Sequence, residues 1–320
     1  MNLYEQTKRL WDEKAVGRSA RLAHLLRAAA PSVEAAACKF REWQPLRFYL
    51  SLSGASGTPL FSVRFRGQEV AWLKVAPTPI LHVSSKHQGA TTRYFGLTTP
   101  AWKGGREWTG KDAKDFREKF RGIAEGVRSG HSEEHAVESR ILKELEKNDR
   151  KTKFAGSFAG VRPVLLAGFP FQCALPISAC EGKPKATDGH IDILTRRRGS
   201  DHGVRLGVWE LKRPGRIDHA LEQAYIYAVT LGLMLRDKSG PDWYRIFGFT
   251  GSMPRRLELE SVVAVSQDRR PAVERAAQTF LRENSFDLDD NVHIEPFAAY
   301  YDPEALKIDF QTLAGTSAAQ

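Results

Sequence analysis

The stretch from Gly189 to Tyr227 constrains this chain most, because charged residues interrupt runs that a buried strand would keep apolar. Asp192 breaks the run Ile191–Leu194, and Glu210 and Lys212 break the run from Leu206 to Lys212. Side chains alternate across a strand, so Glu210 and Lys212 share a face. The residues between the runs, Thr195 to Gly203, are rich in Arg, Gly, Ser and Asp and predict a hairpin connection. Such a hairpin sets Asp192 beside Glu210, so two carboxylates and an ammonium share one patch. Carboxylate oxygens bind hard divalent cations, and Mg²⁺ takes one or two carboxylates plus waters and phosphates. A metal held there activates water and neutralises charge on a phosphoryl group. The plainer reading is a surface hairpin with an ordinary salt bridge.

Asp192, Glu210 and Lys212, set in GHID, WELKRP and EQAYIY, resemble the PD-(D/E)xK nuclease superfamily, the restriction-endonuclease-like fold. The resemblance covers the second half of the chain, and it departs from the pattern at Ile191, where many members carry Pro. It implies an α/β domain with an αβββαβ core. The metal-binding Asp ends one strand, the (D/E)xK lies on the next, and the following helix contributes Gln or Tyr. The implied activity is Mg²⁺-dependent (or Mn²⁺-dependent) endonucleolytic hydrolysis of phosphodiesters in DNA, RNA not excluded, in restriction or antiphage defence. ELKRP also resembles Shedu-type defence nucleases.

By this resemblance Asp192 and Glu210 hold the metal together with the Leu211 carbonyl. Lys212 orients or activates water, and Gln223 positions the water or a phosphate. Tyr227, one turn past Gln223, packs. Glu138, on the helix before the core, is expected to add a metal ligand. Glu134 is the alternative, and an exposed helix-surface role is the plain reading. Double-strand cleavage needs two sites, so a homodimer is expected. The superfamily includes members without catalysis, so a nucleic-acid-binding or partner-binding protein that keeps the fold is the alternative.

At 320 residues and 42% hydrophobic, the chain can bury two cores. The expected division is residues 1–125, an α+β (β-rich) domain, and residues 126–320, the nuclease-like domain. Lys and Arg number 48 against 38 Asp and Glu, a net charge of +10, which favours an anionic partner. Arg196, Arg197 and Arg198 at the hairpin tip, expected close to the carboxylates, and Arg213 suit phosphate contacts. A solvated turn explains the three tip arginines equally well. Cys38, Cys173 and Cys180 form no CxxC pair and no zinc spacing, which fits free thiols in a reducing compartment. The first residues lack a signal-peptide hydrophobic core, and no apolar run reaches membrane-spanning length. The expectation is a soluble cytoplasmic protein.

Tyr4 to Ala30 reads as helix, with a break at Gly17 and an end at Pro31. Strands are expected between Leu46 and Leu97. The basic, aromatic segment Ala101–Arg121 reads as a packed amphipathic helix presenting Phe116, Phe120 and Ile123, ahead of a stacking platform for bases. Ser132 opens the next helix. The first core strand is expected within Val161–Phe171 or Cys173–Ser178. After the helix Asp218–Arg236, strands are expected at Tyr244–Phe249, Glu260–Ser266 and Val292–Tyr300, with a helix at Pro271–Glu283.

Overall fold

The computed structural model describes residues 1–39, 45–52, 58–65, 67–83, 104–126, 133–147, 160–198, 203–213, 217, 219–302, 304 and 308–314. The chain is mixed α/β. It divides into two compact units. One comprises Met1–Ala23, Arg140–Val164 and Gln172–Gln320, and the other His24–Ser139 and Leu165–Phe171. A single cut near residue 125 does not describe this division, because Met1–Ala23 belongs with the C-terminal unit.

The chain opens with helices α1 (Leu3–Leu10) and α2 (Glu13–Ala37). Asn2 caps the first by accepting from Glu5 N at 2.9 Å. Asp12 does the same for the second, accepting from Ala15 N at 2.9 Å, so the break falls at Trp11–Asp12 rather than Gly17. Pro31 lies inside α2 instead of ending it. Proline in a helix interior gives up one backbone hydrogen bond, and the helix continues past it here because Val33, Ala36 and Ala37 are buried.

The His24–Ser139 unit is built on a five-stranded antiparallel sheet. Its strands β1 (Arg47–Leu52), β2 (Pro59–Phe65), β3 (Gln68–Lys74), β4 (Ile80–His82) and β5 (Arg106–Glu107) lie in chain order. Helix α3 (Lys111–Gly126) covers its aromatic face. Phe116 and Phe120, four residues apart, are both buried, with ring centroids 4.9 Å apart, and Phe120 meets Phe65 at 5.1 Å. Trp108 is buried edge-on to Phe48. Trp108, Phe116 and Phe120 of the basic segment therefore fill a core rather than present an exposed face for bases. Trp102 and Lys103 of that segment lie outside the described residues. His82 stacks on Trp72, with centroids 4.0 Å apart.

Helix α4 (Glu133–Lys147) leads into the sheet of the C-terminal unit. Its strands are β6 (Arg162–Pro163), β7 (Ile193–Arg198), β8 (Val204–Leu211), β9 (Leu257–Ser266), β10 (Asp287–Leu288), β11 (Val292–Tyr301) and β12 (Ile308–Thr312). The order is β10-β11-β9-β8-β7-β6, with β12 also on β11. The hairpin β7–β8 and the pair β6–β7 are antiparallel, whereas β8–β9 and β9–β11 are parallel. A parallel neighbour demands a crossover. Helices α5 (Ala220–Arg236) and α6 (Gly240–Ile246) supply it between β8 and β9. Helix α7 (Arg270–Glu283) supplies it between β9 and β11.

The expected strand at Tyr244–Phe249 is not formed. Tyr244–Ile246 end α6, Phe247 and Gly248 follow it as a turn, and the strand of the crossover begins at Leu257. Pro241 starts α6, and Trp243 and Phe247, four residues apart, bury one helical face. A short aromatic run reads alike in helix and strand, and here helical packing decides. The first core strand is only Arg162–Pro163. Ala174–Leu175 instead pairs with Gly189–His190 in a separate ladder. Among the described residues no helix is long and apolar enough to cross a membrane.

Gly207, in the middle of β8, marks a close approach. A Cβ there would come 2.4 Å from Thr195 Oγ1. That hydroxyl accepts from Trp209 Nε1 at 2.9 Å, next to the strand backbone. Two acids of the sheet, the buried Glu260 and the half-buried Glu295, are met by arginines of the hairpin. Arg197 bonds Glu260, which is 1% exposed, and Arg205 bonds Glu295 at 2.6 Å. Burial pushes the Glu260 carboxyl up, and the Arg197 guanidinium pulls it part of the way back.

Candidate active site

Asp192 sits immediately before β7. The ladder pairs Ile193 with Trp209, so one step back along it Asp192 stands opposite Glu210. Asp192 Oδ2 accepts from the Leu211 N–H at 2.8 Å, which ties the acid to the end of β8. Glu210 is 8% exposed. Lys212 Nζ donates to Glu210 Oε1 at 2.9 Å and also to Gln223 Oε1. Gln223, in the first turn of α5, donates in turn to the Ala179 carbonyl at 2.9 Å. Asp192, Glu210, Leu211, Lys212 and Gln223 are thus drawn together by one hairpin and the helix that follows it.

The backbone of Lys212 is held at both ends. Its N–H donates to Ala264 O at 2.9 Å, and its carbonyl accepts from Tyr301 Oη at 2.8 Å. Tyr301 lies at the far end of β11, and no local pattern in the sequence announces it. Glu210 and Lys212 sit at the carboxyl end of a strand in a parallel pair, where open α/β sheets take their ligands. Tyr227 packs beside them, 8% exposed, with its hydroxyl accepting from Ala179 N at 3.4 Å. Burial pushes its phenol up to about 12, helped by the negative charge of Glu210 and Asp192. Gly189 makes this packing possible, because a Cβ there would lie 2.7 Å from Ile177 O and 3.0 Å from the Tyr227 ring.

Other expected site residues fall elsewhere. Glu138 belongs to the His24–Ser139 unit, where its Oε1 accepts from Arg64 Nη1 at 3.0 Å with both side chains buried. Serving a metal would require that buried pair to open, which leaves a guanidinium uncompensated. Glu134, the alternative, is half-buried on the same helix. Arg196, Arg197 and Arg198 do not lie close to the carboxylates. Extended chain rises about 3.3 Å per residue, so Arg198 stands roughly 20 Å along β7 from Asp192. Arg197 is turned to Glu260, and Arg196 reaches the Gly248 carbonyl at 3.4 Å. Arg213 follows Lys212 directly and is exposed. His190 is exposed.

Among the described residues no group of three or more His, Cys, Asp or Glu side chains is arranged to hold a metal ion. Two carboxylates on neighbouring strands nonetheless form a hard-oxygen donor set suited to Mg²⁺, which keeps waters and substrate phosphates as its remaining ligands. Comparisons with protein-family models, with curated proteins and with solved structures found no match for this chain.

Proposed function

We propose that the chain is a metal-dependent endonuclease that hydrolyses phosphodiester bonds in DNA, with the Asp192–Glu210–Lys212 patch as its centre. The observation that carries this reading is the hydrogen-bonded run Glu210–Lys212–Gln223, with Asp192 opposite Glu210 on the neighbouring strand. The order of elements supports it as well. Helix α4, strands β6, β7 and β8, helix α5 and strand β9 occur in the chain order αβββαβ that the restriction-endonuclease-like resemblance implies, with short ladders inserted between β6 and β7 and helix α6 between α5 and β9.

Asp192 and Glu210 would hold a divalent ion, which when bound lowers the pKa of water and neutralises charge on a phosphoryl group. Lys212, its side chain 16% exposed, is positioned by Glu210 and Gln223 to orient the attacking water and to offset charge on the phosphorane. Gln223 sets the direction of the Lys212 side chain through Oε1 and is itself fixed by Ala179. A second reading, a nucleic-acid-binding protein that keeps the fold without catalysis, is favoured by the lack of a three-carboxylate cluster among the described residues.

The test is cleavage of supercoiled plasmid, single-stranded DNA and RNA in Mg²⁺, Mn²⁺ or EDTA, with Lys212→Ala purified in parallel. We expect metal-dependent cutting of DNA that falls by roughly a hundredfold in Lys212→Ala, the order seen when one charge-stabilising donor is removed. Binding of DNA without cutting in either metal would favour the second reading. Equal cutting by both proteins would remove the patch from the mechanism.

A further inference from the structure

A cavity opens at the end of the β7–β8 hairpin away from Asp192, with a volume of about 420 Å³ and walls that include Arg162, Arg196, Arg197, Arg198 and Phe249. Arg162 and Arg196 stand directly opposite each other in the β6–β7 ladder. Arg198 lies two residues beyond Arg196 and so shares its face. Arg197 alternates to the other face, where Glu260 takes it. The Arg196 guanidinium lies over the Phe249 ring, 5.8 Å from its centroid. That ring is braced by Tyr244, stacked at 4.4 Å.

We propose that this cavity is a nucleotide site, with the phosphate held by Arg162, Arg196 and Arg198 and the base laid against Phe249. Guanidinium forks match phosphate oxygens in geometry, and an aromatic ring beside them offers a sequence-tolerant stacking surface. The volume suits one nucleotide rather than a duplex. The source is a free nucleotide or one residue of a single strand. The site stands apart from the carboxylate patch and does not rest on the nuclease reading.

Calorimetric titrations of the full chain in EDTA at low salt, with inorganic phosphate, AMP and a deoxythymidylate hexamer, test it. AMP or the hexamer is expected to bind roughly tenfold more tightly than phosphate, and Phe249→Leu to remove that excess. Arg198→Glu and, separately, Arg196→Ala should each weaken binding by roughly tenfold, as for loss of a charged hydrogen-bond partner. Lys212→Ala should leave it unchanged. Binding of AMP identifies a free nucleotide as the source, and binding of the hexamer alone identifies a strand. The proposal falls if neither binds or if phosphate binds as well as AMP. It falls equally if the arginine variants melt and bind like the parent. EDTA suppresses cleavage, so a failure here says nothing against the nuclease reading, and the plasmid assay says nothing against this one.

Discussion

Glu210 does two things to its neighbours. It receives the Lys212 ammonium at 2.9 Å, and together with Asp192 it makes ionisation of Tyr227 costly. The Tyr227 phenol is raised from its ordinary 10.0 to about 12, chiefly by burial and then by Glu210. The stability gained by keeping that phenol neutral is complete below the ordinary value and is lost as pH rises through about 12. Glu210→Gln removes its own share of the repulsion but neither the burial nor the charge of Asp192. The variant should therefore titrate Tyr227 at lower pH than the parent, though still above an exposed tyrosine. Ultraviolet absorbance of tyrosinate, read against Tyr227→Phe in each background, gives the midpoint. An unchanged midpoint would mean that the Glu210 charge does not reach the ring.

Strand β8 is the element on which the site depends. It carries Glu210, leads directly into Lys212 and lies between an antiparallel and a parallel neighbour. Gly207 lets Thr195 and Trp209 bond against its backbone. Gly207→Ala drives a methyl group to 2.4 Å from Thr195 Oγ1 and forces that side chain or the strand to move. Overpacking of this kind costs about 1–3 kcal/mol. Gly17, inside α2 with nothing within 4 Å of its Cβ position, is the matched contrast. Gly17→Ala should gain about 0.5–1 kcal/mol from helix propensity. Urea denaturation of the two variants should shift in opposite directions. A Gly207→Ala protein as stable as its parent would show that β8 adjusts freely.

Across the whole molecule, α1 and the first part of α2, up to Ala23, are part of the C-terminal unit. Tyr4 Oη donates to Asp289 at 2.9 Å, Arg18 bonds Asp188 and the Pro176 carbonyl, and Ser19 Oγ accepts from the buried Trp243 Nε1 at 3.0 Å. Removing residues 1–23 uncovers α5 and leaves the Trp243 N–H without that partner. Calorimetry should show a lower melting temperature for the unit that holds the carboxylate patch. A fragment that starts at residue 126 should fail to melt cooperatively. A fragment as stable as the intact chain would show that α1 and the start of α2 are dispensable.

What the sequence alone determined lies within short spans. The hairpin that sets Asp192 opposite Glu210, the helical face of Phe116 and Phe120, and strands at Arg47–Leu52 and Glu260–Ser266 all follow from periods of two or 3.6 residues. Those patterns are local, because alternation and capping act between neighbours along the chain. Only the tertiary structure decided the rest. It placed Tyr301 on the Lys212 carbonyl and gave the Glu138 carboxylate to Arg64. It turned the Tyr244 segment into helix by burying Trp243 against Ser19. Each of these pairs residues that are distant in sequence or chooses between two conformations that the local pattern allows equally. Only the packing of the whole chain can make such a choice.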